Sequence, residues 1–348
     1  MRSPLTEQAR VHLLFISVLV LTGLVYYPGV SGGYMFDDLP NLLENQRLAA
    51  ETLDLEPIKR AAFSSGSGPL RRPVSMTSFA LNHYFFGVDP YSYKAVNLGI
   101  HLLTGTLLYL FSRLLTLSYQ QRSETSLSQA AANWIPLVVS SIWLIHPLNL
   151  TSVLYIVQRM TSLSTLFMVC GLYLYMLGRR RLYDGKPGAS IIVAGLLGVG
   201  SLATLSKEIG ALLPIYMLVI EWSIFRFRDR SGRTDKFISW FCLFSVLLPA
   251  CLLLAWLMYH PSFLTGGYAG RDFTLSERLL TEARVLILYL KLIIMPSVSA
   301  LGLQHDDISI STGLFDPKST LYSVLTLLGL AATAFLAHRK SPLISLGI

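Results

Sequence analysis

The chain has 348 residues, 53% of them hydrophobic and only 14% charged, with a mean hydropathy of +0.54; this apolar share exceeds the roughly 45–50% of soluble domains and excludes an ordinary soluble fold. The formal net charge of +8 does not point to nucleic acid, because the basic residues lie in short loops between apolar runs instead of clustering on one soluble face. Cys170, Cys242 and Cys251 all fall inside apolar runs, where a thiol behaves as a small buried hydrophobe.

A bilayer core takes about 20 apolar residues per helix. Arg2 and Arg10 precede an apolar run over 11–30 that has span length and no small-residue cleavage site, which predicts an uncleaved first span. Residues 31–93 form a long first outer loop, with room for one or two amphipathic helices on the membrane surface. Further spans are expected at 95–117, 131–148, 151–177, 189–206, 208–225, 237–259 and 319–337. The expectation is an all-α integral membrane protein with eight spans in a single transmembrane domain, 1–348.

Basic loops at 179–186, 226–236 and 338–340 stay cytoplasmic by the positive-inside rule. Segment 275–297 is long enough to span but carries Glu277, Arg278, Glu282, Arg284 and Lys291. Keeping His338 to Lys340 inside makes it a re-entrant or interfacial helix. The same sidedness gathers the first loop, His146 to Asn149, Ser206 to Glu208 and the stretch 260–318 on the outer face.

Ionisable groups at a membrane must be paired, wetted or functional. Asp37 and Asp38 follow the first span; adjacent side chains do not share a helix face, so one can face a cleft while the other makes hydrogen bonds. A helix cap plus a solvated acid is the plain alternative. Arg71 and Arg72 precede Pro73, and their forks match a lipid phosphate. Asn97 and His101 stand at i, i+4 on one face of the second span and must look inward, toward a partner helix or cavity. His146 closes the third span, and Gln158 with Arg159 lies in the fourth, where a buried arginine calls for an anion. Lys207 and Glu208 interrupt one long apolar stretch, and His305, Asp306 and Asp307 make a second acidic outer cluster with too few ligands at defined spacing for a metal.

In order, "RRPV", "VNLGIHLL", "HPLNLTSVLYIVQR", "LSKEIGALLP" and "EARVLILYLKLIIMP", preceded by the Asp-Asp pair, resemble the bacterial relatives of the transmembrane O-mannosyltransferases with tetratricopeptide repeats, a branch of the GT-C glycosyltransferase superfamily. The resemblance covers about residues 11–318, and no such repeat follows before Ile348. Where the eukaryotic branch tends to show Gly-Arg in the fourth span, this chain has Gln158 and Arg159. It implies a GT-C-like helical bundle and an enzyme that moves a sugar from a polyprenyl-phosphate-linked donor to a hydroxyl of a protein or glycan acceptor, with inversion.

Carried over, Asp37 and Asp38 match the catalytic acidic pair, with Asp38 ahead of Asp37 as the general base, or with both as ligands of a divalent cation, magnesium or manganese. Arg159, Lys207 and Glu208 match positions expected to line the donor or catalytic cleft, and Arg71, Arg72 and Arg284 are further candidates to hold the donor phosphate. His146, His101, Asn97 and Gln158 are supporting residues. The implied setting is a bacterial inner membrane with the site facing the periplasm. The alternative is a transporter or flippase of a lipid-linked or anionic substrate, which also wants inward-facing charges.

Overall fold

A computed structural model describes residues 6–122, 127–268, 270–302 and 308–348. Among them the regular elements are helical and none is a strand. Helix α1, Glu7–Val30, starts where the Thr6 hydroxyl accepts the Ala9 N–H, and it runs through an uninterrupted apolar segment. Two helices lie in the first long loop: α2, Leu55–Ala62, and α3, Pro73–Phe86, which opens on a proline pre-set for a first turn and closes on Gly87. Helix α4, Pro90–Arg122, is entered through the Asp89 carboxylate, which accepts the N–H groups of Tyr91 and Ser92.

Helix α5, Gln129–Ile145, bends by 50° into the short α6, Pro147–Leu154. The cause is local: His146 cannot continue a helix ahead of Pro147, and its Nδ1 accepts the Leu148 N–H to cap the next segment. Tyr155 is extended, and α7, Ile156–Tyr183, starts after it. Hydropathy alone places the third and fourth spans at 131–148 and 151–177; the observed break falls at Tyr155, because residues 150–154 belong to the bent piece. Helices α8, Ala189–Ser206, α9, Glu208–Phe225, and α10, Lys236–Tyr259, follow. Helix α11, Leu275–Ile294, opens on a capping box between Thr274 and Glu277, and α12, Ser319–Ala337, and the short α13, Pro342–Gly347, complete the chain.

Seven of these helices have the length and apolarity of a membrane span, and the bent α5–α6 pair makes up to eight; the protein is a multi-span helical membrane protein. Helix α11, over the 275–297 segment read as re-entrant or interfacial, is not among them.

Where the sequence reading draws one domain, packing divides the chain into two compact units. The first comprises Met1–Met217 with Arg228–Arg233. Helix α4 is its centre, packed against both α5 and α7, with α1 on α4 and α5, and α8 on α7. At one end Tyr109 bonds His12 at 3.1 Å and stacks on Phe15 at 4.3 Å. Toward the other, His101 lies between Tyr26 and Trp143 and contacts the Leu144 carbonyl at 2.9 Å. A second core of Leu42, Leu48, Met76, Phe79, Tyr93, Ile156 and Met160 anchors α3 and the loop after α1 to the start of α7.

The second unit comprises Leu218–Phe227 with Thr234–Ile348. There α11 packs on α12, and Arg226 donates to the carbonyls of His338 and Arg339 while Trp222 stacks on His338. Most of α10 is unburied: no residue of Leu248–Tyr259 is buried by protein.

Candidate active site

A helix that breaks inside a bundle exposes backbone groups that must find partners. The break between α6 and α7 is where the chemistry-bearing residues of the first unit collect. Asn97 donates its amide to the carbonyls of Val153 and Ile156, at 3.2 and 3.3 Å. Asp38 accepts the Val157 N–H at 2.7 Å through one oxygen and the Met35 N–H at 3.0 Å through the other. Asp38 is fully buried, and burial pushes its carboxyl above the ordinary range, opposed by those N–H groups and by the charge of Lys94. On the helical turn that follows it, Leu39–Leu43, Asp38 makes no side-chain cap; its Oδ1 instead caps the start of α7, distant in sequence.

Asp37 is exposed. Its backbone N–H donates to the Tyr155 hydroxyl at 3.0 Å, and Phe36 before it adopts a left-handed φ of 41°. A phenylalanine rarely holds that conformation, and such strain persists where surrounding contacts fix it. Burial raises the Tyr155 hydroxyl; the Asp37 N–H offsets part of this, and the nearby carboxylates of Asp37 and Asp38 add to it.

Arg159 is fully buried. Its guanidinium donates to Asn97 Oδ1 at 2.7 Å, Asn82 Oδ1 at 2.7 Å, the Tyr93 carbonyl at 2.8 Å and the Ser78 carbonyl at 3.2 Å. It also lies over the rings of Phe79 and Tyr93. Among the described residues its partners are neutral oxygens and aromatic faces, and they tie α3, α4 and α7 together. Neutral acceptors suffice because carbonyl dipoles from several elements converge on one fork.

The open cations sit at the α8–α9 junction. Lys207 is extended, breaking the helix, and its Nζ donates to Thr161 Oγ1 at 2.7 Å, while that hydroxyl donates to Gln158 Oε1 at 2.7 Å. Arg72 meets Glu208 at 3.2 Å and points a second nitrogen at Met160 Sδ. Burial lowers the Lys207 ammonium, as does the neighbouring Arg72, and Glu208 partly restores it. Arg71 and Arg72 both take left-handed backbone, with φ of 56° and 49°, so the approach to α3 is strained like the approach to Asp37. Gly68, at φ +73°, lies so close to Glu208 Oε1 that any side chain there would collide with the carboxylate.

The stretch Tyr155 to Thr161 thus touches the acidic pair at one end and Lys207 at the other. From Val157 to Thr161 is about one helical turn, roughly 6 Å of rise.

The remaining sequence-derived candidates divide. Asn97, Gln158, Arg159, Lys207, Glu208 and Arg72 come together here, whereas Arg71 is exposed and, among the described residues, only its backbone N–H makes a hydrogen bond, to the Gly68 carbonyl. His101 and His146 serve helix packing and the α6 cap. Arg284 belongs to the second unit and donates to the Ser309 carbonyl at 2.7 Å. His305, Asp306 and Asp307 lie outside the described residues.

Sequence reasoning passed over Lys94, Asn82 and Tyr155. Lys94 was within reach, since Lys94, Asn97 and His101 fall at i, i+3 and i+7 on one helix face.

The donor set does not suit a divalent cation. Magnesium or manganese wants about six oxygens in open, regular array. Asp38 is buried with both oxygens committed to N–H groups, Lys94 adds a positive charge beside it, and no cluster of three or more His, Cys, Asp or Glu occurs among the described residues.

Parts of the chain are similar to proteins named protein O-mannosyl-transferase. Tmtc3 of Drosophila melanogaster is 25% identical over 169 residues, 44% of this chain and 18% of the relative. Tmtc1 of Drosophila melanogaster is 26% identical over 198 residues, 56% of this chain and 21% of the relative. The tmtc2 protein of Xenopus laevis is 29% identical over 163 residues, 44% of this chain and 17% of the relative. The matched segments span about a fifth of these relatives' length. No family model matches the chain, and no solved structure matches it significantly.

Proposed function

We propose that this protein is a membrane glycosyltransferase of the GT-C kind that moves a sugar, mannose in the first instance, from a polyprenyl-phosphate donor to a protein hydroxyl at the outer face of a bacterial inner membrane. One observation supports the reading: a single short stretch, Tyr155 to Thr161, fixes the backbone of the exposed Asp37 at one end and the Lys207 ammonium at the other. The partial similarity to proteins named O-mannosyl-transferases supports the reaction class.

In this mechanism the exposed Asp37 carboxylate, beside the Tyr155 hydroxyl and next to an Asp38 committed to the backbone, takes the proton of the acceptor hydroxyl. The hydroxyl oxygen attacks the anomeric carbon, the bond from that carbon to the phosphate oxygen breaks, and the phosphate leaves with the bonding pair. Attack opposite the leaving group inverts the carbon. Lys207 and Arg72 stabilise the departing phosphate, with Glu208 aiming the Arg72 fork. Arg159 acts on the reaction through geometry: it fixes α3 and α4 against the start of α7, where the catalytic groups are mounted.

The test is to incubate purified protein in lipid nanodiscs with polyprenyl-phosphate mannose and a serine/threonine peptide. Released polyprenyl phosphate with a peptide heavier by one hexose is the expected outcome. An intact donor after prolonged incubation sinks the assignment, and movement of intact donor across a vesicle bilayer replaces it with the transporter reading.

A further inference from the structure

Midway along the stretch Tyr155 to Thr161 stands a side chain to which the mechanism above gives no part. Gln158 is half-buried at the end of the short turn Ile156–Gln158 that opens α7, and its backbone N–H donates to the Tyr155 carbonyl at 3.1 Å. Its carboxamide oxygen accepts the Thr161 hydroxyl at 2.7 Å, and the oxygen of that hydroxyl accepts the Lys207 ammonium at 2.7 Å. This chain of bonds has one direction. An ammonium can only donate, so Thr161 accepts from Lys207 and donates its own proton onward to Gln158.

The direction decides what Gln158 has left to offer. Its oxygen is engaged, while among the described residues its amide nitrogen meets no hydrogen-bond acceptor and is not sealed off by protein, so two N–H groups remain available. Along about one helical turn the site thus presents Asp37, a neutral double donor at Gln158 and the ammonium of Lys207. In the proposed mechanism the attacking hydroxyl lies at the first, the departing phosphate at the last, and the sugar between them, opposite Gln158. A group that only donates calls for an oxygen that accepts. Of the two oxygens beside the anomeric carbon, the ring oxygen gathers positive charge as the bond to phosphate breaks and is a poor acceptor, whereas the hydroxyl on the neighbouring carbon keeps its lone pairs.

We infer that Gln158 is a sugar-binding residue, whose amide N–H groups donate to the hydroxyl next to the anomeric carbon of a hexose carried on the lipid phosphate, with Thr161 and Lys207 holding the carboxamide in that orientation. The inference rests on the glycosyltransferase reading above and adds a selectivity which that reading does not contain. Because the contact is made to the sugar and not to the phosphate, it separates the glycosylated lipid from the bare polyprenyl phosphate that transfer leaves behind. The spent lipid is then held less tightly than the fresh donor.

Binding measurements test this without turnover. Polyprenyl-phosphate mannose, an analogue lacking the hydroxyl next to the anomeric carbon, and bare polyprenyl phosphate are each titrated into purified wild type and Gln158→Met in nanodiscs, with no acceptor present and thermal unfolding run alongside. Wild type is expected to bind the mannosyl lipid roughly five- to ten-fold more tightly than the other two, the scale of one neutral hydrogen bond. Gln158→Met is expected to bind all three alike, at the wild-type affinity for the bare lipid. Equal wild-type affinities for the mannosyl lipid and its deoxy analogue overturn the inference without recourse to any variant. A Gln158→Met protein that loses affinity for the bare lipid by the same factor also overturns it, since the contact would then be to phosphate or to the fold. Either result accompanied by mannosyl transfer in wild type sinks this inference alone; a wild type that binds none of the three lipids sinks the glycosyltransferase reading and this inference with it.

Discussion

Within the first unit the candidate site has a buried layer and an open layer, and each contains one acid and one base. Asp38 and Arg159 are fully buried and spend their hydrogen bonds on backbone groups and amides, whereas Asp37 is exposed and Lys207 retains partial access through one hydroxyl contact. The difference teaches that charge in a membrane protein need not announce chemistry: a carboxylate or guanidinium can be the cheapest means of satisfying a broken helix. What remains for a substrate is the group whose lone pairs or protons the fold has not already taken.

The sharpest way to break this division is at the acids. Asp37→Asn is expected to reduce transfer by about 10²–10⁴-fold, the range of a general base, with unchanged thermal unfolding; a comparable stability loss would put Asp37 in the buried layer. Next, Arg159→Met strands the oxygens of Asn82, Asn97, Ser78 and Tyr93 and should cost about 3 kcal/mol or more of stability, at roughly 1–3 kcal/mol for each buried acceptor left without a donor. Denaturant unfolding in detergent reads this directly, and a variant of normal stability with weakened donor binding would restore the phosphate role to Arg159.

Lys207→Ala should do the opposite, leaving stability within about 1 kcal/mol while raising the KM for donor about ten-fold. Gly68→Ala is expected to destabilise by roughly 1–3 kcal/mol and to disturb the Arg72–Glu208 contact, measured as lower Tm with a parallel rise in donor KM. The smallest effect concerns pH. Since the Asp38 carboxyl is pushed up on folding, its ionisation works against the native state: the relative stability it contributes is complete below the ordinary carboxylate pKa and is lost as pH rises through the raised value. Stability measured across that acidic window should show this slope in wild type and a flatter profile in Asp38→Asn.

Much of the helical frame was legible because lipid demands long apolar runs. Ala189–Ser206, Glu208–Phe225 and Ser319–Ala337 have the bounds that hydropathy gives. The break at Tyr155 was not legible, since the sequence from Leu150 to Val157 is apolar throughout apart from small hydroxyl residues and a tyrosine, and hydropathy carries no record of backbone direction. At the site, the company of Asp37, Asp38, Arg72, Lys207 and Glu208 could be inferred from their place at helix ends. Their division of labour could not, because Asp37 and Asp38 are chemically identical until burial distinguishes them, and an arginine's formal charge hides its capacity to bind five neutral acceptors.

Position 97 shows how narrow such a role can be. The side chain there must give protons to the carbonyls of Val153 and Ile156 and take one from Arg159. Aspartate, its isostere, would gain an ion pair and confront two lone-pair-bearing oxygens with a third; leucine would fill the volume and abandon both sides. Only a carboxamide is two-faced in the required sense, so the link from the broken helix to the buried guanidinium is read out as one letter that tolerates neither an acid nor a hydrocarbon in its place.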